Sequence, residues 1–253
     1  MKPQVAALLA VAIVGVALPV SCSASPQAEA THLKAGIVDQ LGSTYPNEHF
    51  IQDVTQTLES QGFEVVHFGG SEVDVELYRD LPSYGFRLVI FRTHSTVLCG
   101  DEPLTGRTYL FTNEPYEVSG YVSHQLAEEI RASNVEEGDP LYYSVGADFI
   151  SRHSRGHFDE AVIVAMGCAS LYSVDMAEAH IGRGATVYAG WNGKVRLDFV
   201  DDFTGALVQD MCSPDLTIKE ALYKTASEKG ADPTYGSVLN YYPADFEDTT
   251  LVS

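Results

Sequence analysis

Basic residues are scarce in this chain and nowhere clustered. It has 253 residues, with 15 Lys and Arg against 35 Asp and Glu, so its formal net charge is −20. The cations stand singly between Lys2 and Lys229, whereas a protein that wraps a nucleic acid needs a basic face that releases counterions. The composition therefore excludes nucleic acid as a partner. The acidic excess favours solubility and repels acidic partners.

Hydrophobic runs long enough to span a membrane are also lacking at the N-terminus. The uncharged run at 5–20 has sixteen residues, fewer than the roughly 20 that a spanning helix needs. It follows Met1 and Lys2 and precedes small residues at 21–24. This arrangement predicts a cleaved export signal, with cleavage after Ala24 or Ala30. Residues 1–30 are therefore set apart from a single domain at 31–253.

Residues 18–22 of this segment resemble a bacterial lipobox, in which the cysteine is lipidated. Pro19 stands three positions before Cys22, where leucine is usual. Two interpretations remain open. Cys22 carries a lipid that anchors an exported protein to the cell envelope, or it belongs to a discarded peptide and the protein is secreted. Lipid on Cys22 is the only membrane association that the sequence predicts.

The rest of the chain has the composition and pattern of a folded α/β protein. Hydrophobic residues make up 45% and aromatic residues 10%, far from the composition of disordered chains. Neither internal repeats nor low-complexity segments are visible. Short apolar runs alternate with longer amphipathic ones, which is typical of βαβ units around a mainly parallel sheet. The predicted strands are 35–38, 63–68, 88–91, 161–166 and 185–188.

Helices are predicted between these strands. Asn47 is expected to cap the first one, and Thr217 with Glu220 has the spacing of a capping box for the last. Residues 96–158 are less regular and are interpreted as an insertion, with a hairpin near 109–111 and a helix over about 119–131. A further helix is expected to begin at Cys168. These elements together predict a three-layer α/β/α sandwich.

Two residues with catalytic chemistry follow buried strands. His94 comes three residues after the strand at 88–91, and Cys168 directly follows the strand at 161–166. Ligands of parallel sheets bind at the carboxyl ends of the strands. If the two strands are neighbours, imidazole and thiol approach each other as a nucleophile and its acid/base partner require. A helix beginning at Cys168 would also favour the thiolate through its dipole.

With these two segments the sequence resembles the caspase-like, or clan CD, cysteine peptidases, which include caspases, gingipains, clostripain and separase. The family places a hydrophobic strand before a His-Gly pair and a second one before its cysteine, as at 88–95 and 161–168. Residues 184–195 and 217–222 are similar to the segments after the nucleophile in the gingipain, clostripain and CHAT-type bacterial and archaeal branches. The resemblance covers about residues 34–230.

The resemblance implies an exported peptidase with a caspase-like sheet, acting on a peptide or protein substrate without a cofactor. His94 is then the general acid/base and Cys168 the nucleophile, while the backbone N–H groups of Ser95 and Cys168 form the oxyanion hole. Trp191 is either a core aromatic or part of the substrate pocket. Asp39 or Asp198 would bind the substrate if the enzyme prefers basic residues.

Departures from the family pattern keep a second function open. Ser95 stands where the family usually has glycine, so a Cβ is present beside the oxyanion hole. The chain also lacks an acidic residue just before Cys168, which in some branches helps bind a substrate cation. The alternative is a catalytically inactive homologue that binds peptides or proteins at the cell surface.

Other interpretations of these residues are weaker. An amidotransferase needs a Gly-x-Cys-x-Gly elbow, and Met166 and Ser170 replace both glycines. His153 and His157 have a spacing seen in zinc sites, but the residues between them indicate a loop, and no metal site is predicted. Cys99 is free, paired with Cys212, or a redox cap on Cys168.

Overall fold

The computed structural model describes residues 33–98 and 106–252. The predicted export signal with Cys22, and also Cys99, lie outside the described residues. The ten strands are β1 (Lys34–Asp39), β2 (Glu64–Gly69), β3 (Leu88–Arg92), β4 (Ser95–Leu98), β5 (Arg107–Pro115), β6 (Ile130–Ser133), β7 (Tyr142–Gly146), β8 (Val162–Ala165), β9 (Val187–Trp191) and β10 (Leu239–Tyr242). The seven α-helices are α1 (Glu48–Ser60), α2 (Val75–Asp80), α3 (Val122–Leu126), α4 (Ala147–His153), α5 (Asp175–Ile181), α6 (Leu197–Met211) and α7 (Ile218–Lys229).

A six-stranded sheet forms the centre of the fold, in the order β10-β9-β8-β3-β1-β2. The strands from β2 to β9 pair in parallel, and β10 pairs antiparallel with β9 at one edge. Every residue of β3, β8 and β9 is buried. This explains why these strands are continuous apolar runs, because a central parallel strand is covered on both faces. The predicted mainly parallel α/β fold is confirmed.

Helices cover both faces of this sheet. On one face, α1, α6 and α7 pack against strand residues such as Ile37, Ile90 and Val164. On the other face, α2, α4 and α5 pack against strand residues such as Val89, Ile163 and Tyr188. Because successive side chains of a strand point to opposite faces of the sheet, neighbouring residues belong to the hydrophobic cores on opposite faces.

The predicted helix caps are present. The Asn47 side chain accepts a hydrogen bond from the Phe50 N–H (3.1 Å) at the start of α1. At α7, Thr217 and Glu220 form the expected capping box. These caps satisfy N–H groups that have no partner within the helix, which is why they could be predicted from the local sequence.

The chain between β3 and β8, predicted as an insertion, contains a second sheet in the antiparallel order β4-β5-β7-β6. The predicted hairpin corresponds to the pairing of β4 with β5. The helix predicted over about 119–131 is present only in its middle part, as α3, and its predicted end is wrong because β6 begins at Ile130. Helix α3 buries none of its residues, whereas Ile130 is fully buried opposite Val145. Burial of Ile130 in the sheet outweighs the helical pattern.

The helix predicted to begin at Cys168 starts seven residues later, at Asp175. Cys168 lies in a turn after β8, where Ala169 has a left-handed φ of 54°. The chain then runs beside β9, and the Leu171 N–H donates to the Trp191 carbonyl (2.9 Å). Contacts with β9 therefore replace the first turns of the expected helix, and Cys168 has no helix dipole behind it.

Candidate functional site

His94 and Cys168 lie at the same edge of the central sheet. Strands β3 and β8 are parallel neighbours in which Phe91 pairs with Ala165. His94 lies three residues after Phe91, and Cys168 lies three residues after Ala165. The register of the two strands therefore brings both residues to the same height at the edge of the sheet. Both side chains line one cavity of about 180 Å³. The sequence predicted that imidazole and thiol would come within hydrogen-bond reach if their strands were neighbours. The strands are neighbours and both residues line one cavity, while a hydrogen bond between the two groups stays a prediction.

The backbone of His94 is held on both sides. Its N–H donates to Gln40 Oε1 (2.9 Å), and its carbonyl accepts from the Phe111 N–H (3.0 Å). The imidazole lies between the rings of Tyr45 and Phe111, with centroid distances of 6.0 and 5.8 Å. Two backbone hydrogen bonds and two aromatic neighbours thus fix the position of the ring.

The His94 imidazole is neutral in this setting. Burial lowers its pKa below the ordinary value, because an imidazolium is costly away from water. Its Nε2 atom is buried and has no hydrogen-bond partner among the residues that the structure describes. A neutral imidazole with an unused ring nitrogen is able to accept a proton from a nucleophile or a substrate.

The Cys168 thiol contacts the backbone of Val195. The Val195 N–H donates to Cys168 Sγ (3.5 Å), and the thiol donates to the Val195 carbonyl (3.7 Å). Cys168 is partly exposed, whereas Cys212 is buried. Burial raises the pKa of Cys212 to about 11, so Cys212 is an inert core thiol. Of these two cysteines, Cys168 is the one accessible to a substrate.

No hydrogen bond joins the His94 imidazole to the Cys168 thiol in the described part of the chain, where the thiol uses Val195 instead. Catalytic hydrogen bonds are often long or absent without substrate and form in the complex. The arrangement is a pair of reactive groups in one cavity, not an assembled dyad.

Ser95 links the loops that carry the two groups. Its hydroxyl donates to the Cys168 carbonyl (2.6 Å). On its other side Ser95 stands opposite Leu110 in the β4–β5 pair. Because the neighbouring His94 carbonyl accepts from Phe111, the alternation of antiparallel pairs directs the Ser95 N–H away from β5. This N–H is therefore not used by the ladder, as an oxyanion-hole donor requires.

The two loops pack closely at Gly167. A Cβ at this position would lie 2.3 Å from Ser95 Oγ and 2.7 Å from the Thr93 carbonyl oxygen. Only glycine allows this approach. Next to it, Ala169 has its left-handed backbone although it is not glycine, and its N–H donates to the Gly193 carbonyl (2.7 Å). Backbone strain of this kind concentrates at functional sites.

A buried ion network lies two residues before His94. Arg92 is fully buried at the end of β3. It donates two hydrogen bonds to Asp201 (both 2.9 Å), one to Asp39 (2.8 Å) and one to the Tyr45 carbonyl (3.0 Å). Asn47 also donates to Asp201 (2.8 Å). The network connects β1, β3 and α6, and through Tyr45 it reaches the wall of the cavity.

The cavity that holds His94 and Cys168 has an apolar wall. Charged residues are absent from its lining in the part of the chain that the structure describes. The remaining residues that line it are Leu41, Tyr45, Thr93, Met166, Gly167, Val195, Leu197 and Val200. Such a surface binds apolar groups better than charged ones.

The three residues predicted to bind substrate lie elsewhere. Trp191 is 1% exposed and packs against Phe199 and Phe203, so it is a core aromatic. Asp39 is buried in the ion network and also faces His67, at 3.6 Å. Asp198 is paired with Arg196. None of the three lines the cavity with His94 and Cys168.

Several residues at or near the site were not predicted. Arg92 had one local signal, a charged residue directly after four apolar strand residues. Gln40, Tyr45 and Val195 had no such signal, since their contacts depend on how distant segments meet.

The spacing of His153 and His157 does not correspond to a shared site. His157 is exposed, whereas the His153 side chain lies beside those of His124 and Glu129.

Among residues 33–98 and 106–252, no helix combines the length and the apolar character needed to cross a membrane. A scan of the chain against models of known protein families finds no match. A search of curated proteins likewise finds no matching protein. Function has therefore to be inferred from the chemistry of the site itself.

Proposed function

We propose that this protein is a cysteine peptidase with a caspase-like sheet, in which Cys168 is the nucleophile and His94 the general acid/base. The observation that carries the proposal is the pairing of β3 with β8, which places both side chains at one level and on one cavity. The parallel sheet with helices on both faces agrees with the resemblance to caspase-like peptidases. Export, with or without lipid on Cys22, is part of the proposal and depends on residues 1–30 alone.

The proposed reaction uses groups that the site contains. The neutral His94 imidazole takes the thiol proton of Cys168, and the sulfur attacks the scissile carbonyl carbon. The backbone N–H groups of Ser95 and Cys168 stabilise the resulting oxyanion. When the intermediate collapses, the imidazolium gives its proton to the leaving amine. Water, activated by the same imidazole, then hydrolyses the thioester and regenerates the thiol.

Substrate binding is expected to move the thiol from Val195 towards His94. The contacts of Sγ with Val195, at 3.5 and 3.7 Å, are replaceable because sulfur is a weak hydrogen-bond donor and acceptor. His94 Nε2 is buried without a partner, so forming a hydrogen bond to it removes an unsatisfied polar group. A hydrogen bond between the thiol and the imidazole is therefore favoured over the contacts with Val195 once water is displaced from the cavity.

The apolar wall indicates the substrate class. A side chain that enters the cavity contacts Met166, Leu197 and Val200, and Asp39 and Asp198 lie outside it. We therefore expect cleavage after apolar residues rather than after Lys, Arg or Asp. This replaces the preference for basic residues that the two aspartates would have supplied.

The test is peptide hydrolysis by the reduced protein with a fluorogenic library, together with labelling by a peptidyl acyloxymethyl ketone. Cys168→Ala and His94→Ala should each abolish hydrolysis. His157→Ala, which changes an exposed histidine outside the cavity, should leave it unchanged. Peptide mapping should locate the label on Cys168 and not on the buried Cys212.

The second candidate is a binding protein without activity. The absence of an imidazole–thiol hydrogen bond among the described residues and the Cβ of Ser95 favour it. Full hydrolysis by the Cys168→Ala protein would refute the peptidase mechanism. A correctly folded protein that neither cleaves the library nor reacts with the probe, but binds apolar peptides in a way that Val200→Asp abolishes, would support the binding function instead.

A further inference from the structure

A second group of reactive side chains lies in the segment between β3 and β8. His124, Glu129 and His153 each direct one ligand atom into a space within which these atoms lie no more than 4.8 Å apart. Both histidines contact the same carboxylate oxygen: His124 Nδ1 is 2.8 Å and His153 Nε2 is 3.0 Å from Glu129 Oε2. The rings of the two histidines are 4.6 Å apart.

We propose that His124, Glu129 and His153 bind a divalent transition-metal ion, with Zn²⁺ as the best match. Two imidazoles and one carboxylate form a donor set that zinc uses in catalytic and open sites. With Zn–ligand bonds of about 2.0–2.2 Å, donor atoms in a tetrahedral site lie about 3.3–3.6 Å from each other. Glu129 Oε2 is 2.8 Å from His124 Nδ1 and 3.0 Å from His153 Nε2, so each of these two distances needs to lengthen by roughly half an ångström to admit the ion.

The scaffold holds the carboxylate in place. Glu129 is 5% exposed, and its N–H donates to the His124 carbonyl while its own carbonyl accepts from the Gly146 N–H, both at 2.9 Å. Burial and these two backbone hydrogen bonds fix the position of the residue, and its Oε2 atom lies within reach of both histidines.

The two histidines complete the site from different elements. His124 belongs to α3 and His153 is the last residue of α4. Their side chains are partly exposed, at 24% and 37%, above the buried carboxylate. An ion bound by all three would have its remaining positions towards solvent, which provides both an entry path and room for water or a ligand.

Arg152 contacts the other oxygen of the carboxylate and leaves Oε2 to the histidines. Its Nη1 lies 3.1 Å from Glu129 Oε1. Partners of this kind orient a metal-binding carboxylate from outside the coordination sphere. The Arg152 side chain is 58% exposed, so its charge is screened by water and does not prevent a cation from binding at Oε2.

Calcium and magnesium fit this site poorly, because they prefer oxygen ligands. Imidazole favours zinc, copper, nickel and iron instead. The site is independent of the peptidase proposal, since neither His94 nor Cys168 takes part in it. The sequence did not reveal the site because the three residues are up to 29 positions apart and belong to two helices and the bend before β6.

The test is Zn²⁺ binding to the full chain carrying Cys168→Ala, so that the ion cannot be held by the thiol. Titration against a chromophoric chelator should show one equivalent bound, and Co²⁺ should give the visible absorption of a low-coordinate site. Thermal unfolding should shift to higher temperature with Zn²⁺ and not with Mg²⁺ or Ca²⁺. Because Cys168 is absent, the result does not depend on peptidase activity.

The variants decide whether these three residues are the ligands. His124→Ala, Glu129→Gln and His153→Ala should each weaken Zn²⁺ binding at least about tenfold, while His157→Ala, four positions from His153, should have no effect. His153 is at the partly exposed end of α4, and His153→Asn provides a second, milder change there. No Zn²⁺ binding by the Cys168→Ala chain, or unaltered binding by both His153 variants, would overturn the proposal.

Discussion

Replacement of Arg92 by methionine should destabilise the protein strongly while leaving its volume nearly unchanged. Arg92 is fully buried, and its partners Asp39 and Asp201 are only 3% and 5% exposed. The change removes four hydrogen bonds and leaves two carboxylates facing each other without their cation. Breaking a buried ion pair from one side costs about 3–5 kcal/mol. This is a large part of the roughly 5–15 kcal/mol by which a domain is stable.

The dependence of this loss on pH gives a sharper test. In the native protein burial raises the pKa of Asp39, but hydrogen bonds and charges of His67 and Arg92 outweigh it, so the pKa lies below its ordinary value of 3.8. The contribution of ionised Asp39 to the free energy of unfolding is therefore present above pH 3.8. It is lost as the pH falls through the lower pKa of the folded state. Without Arg92, burial dominates and the pKa of Asp39 rises. At Asp39 the folded variant then binds more protons than the unfolded chain, so the loss of stability relative to the native protein should be smaller at pH 5 than at pH 7.

Urea unfolding at pH 7 and pH 5 measures both effects. Arg155→Met is the matched control, since Arg155 is 61% exposed and its pair with Asp80 should be worth at most about 1 kcal/mol. The triple variant Arg92→Met, Asp39→Asn, Asp201→Asn should recover much of the loss, because no buried charge remains. A cost of Arg92→Met below about 1 kcal/mol, or a cost that is no smaller at pH 5 than at pH 7, would refute the reasoning.

Three further substitutions, one of them with a control, test a buried histidine and the backbone of the site. Burial lowers the pKa of His180 from 6.5 to about 4, so between these pH values the unfolded chain binds more protons at this residue than the folded protein does. His180 should therefore lower the stability by about 3 kcal/mol from pH 7 to pH 4. His180→Leu should remove this contribution to the pH dependence of stability, as measured by urea unfolding. Gly167→Ala should cost about 1–3 kcal/mol and abolish hydrolysis, because its Cβ collides with Ser95. Gly205→Ala, where a Cβ in α6 meets no atom within 4 Å, is its control and should instead stabilise by about 0.5–1 kcal/mol. Ala169→Gly should raise the stability by about 0.5–1 kcal/mol, and an unchanged urea midpoint would show that the φ of 54° carries no strain.

Much of the central sheet was predictable from the sequence. The apolar runs that became β1, β3 and β8 are local features, and so are the caps at Asn47 and Thr217. His94 and Cys168 could be selected because a reactive side chain directly after a buried strand must lie at the edge of the sheet. What the sequence left conditional was whether β3 and β8 are neighbours. Strand order is a property of the whole chain, and the structure supplied it.

The two errors in the predicted helices share one physical cause. Helical periodicity suggested helices over residues 119–131 and from Cys168 onwards, but Ile130 is buried in β6 and Leu171 bonds to the backbone of β9. Local propensities differ by less than about 1 kcal/mol per residue, whereas burying an aliphatic side chain is worth about 1.5–3 kcal/mol. Where the two conflict, contacts with distant strands decide.

The sequence by itself determined which residues prefer strands, which cap helices, and which have side chains capable of catalysis, because these properties depend on a few neighbouring positions. Only the tertiary structure decided that Trp191 is core, that Asp39 compensates Arg92, and that His124, Glu129 and His153 meet. These roles depend on charge and burial created by segments far apart in the chain. A side chain has its intrinsic chemistry in any sequence, but its partners, and with them its charge state and its access to a ligand, exist only in the folded protein.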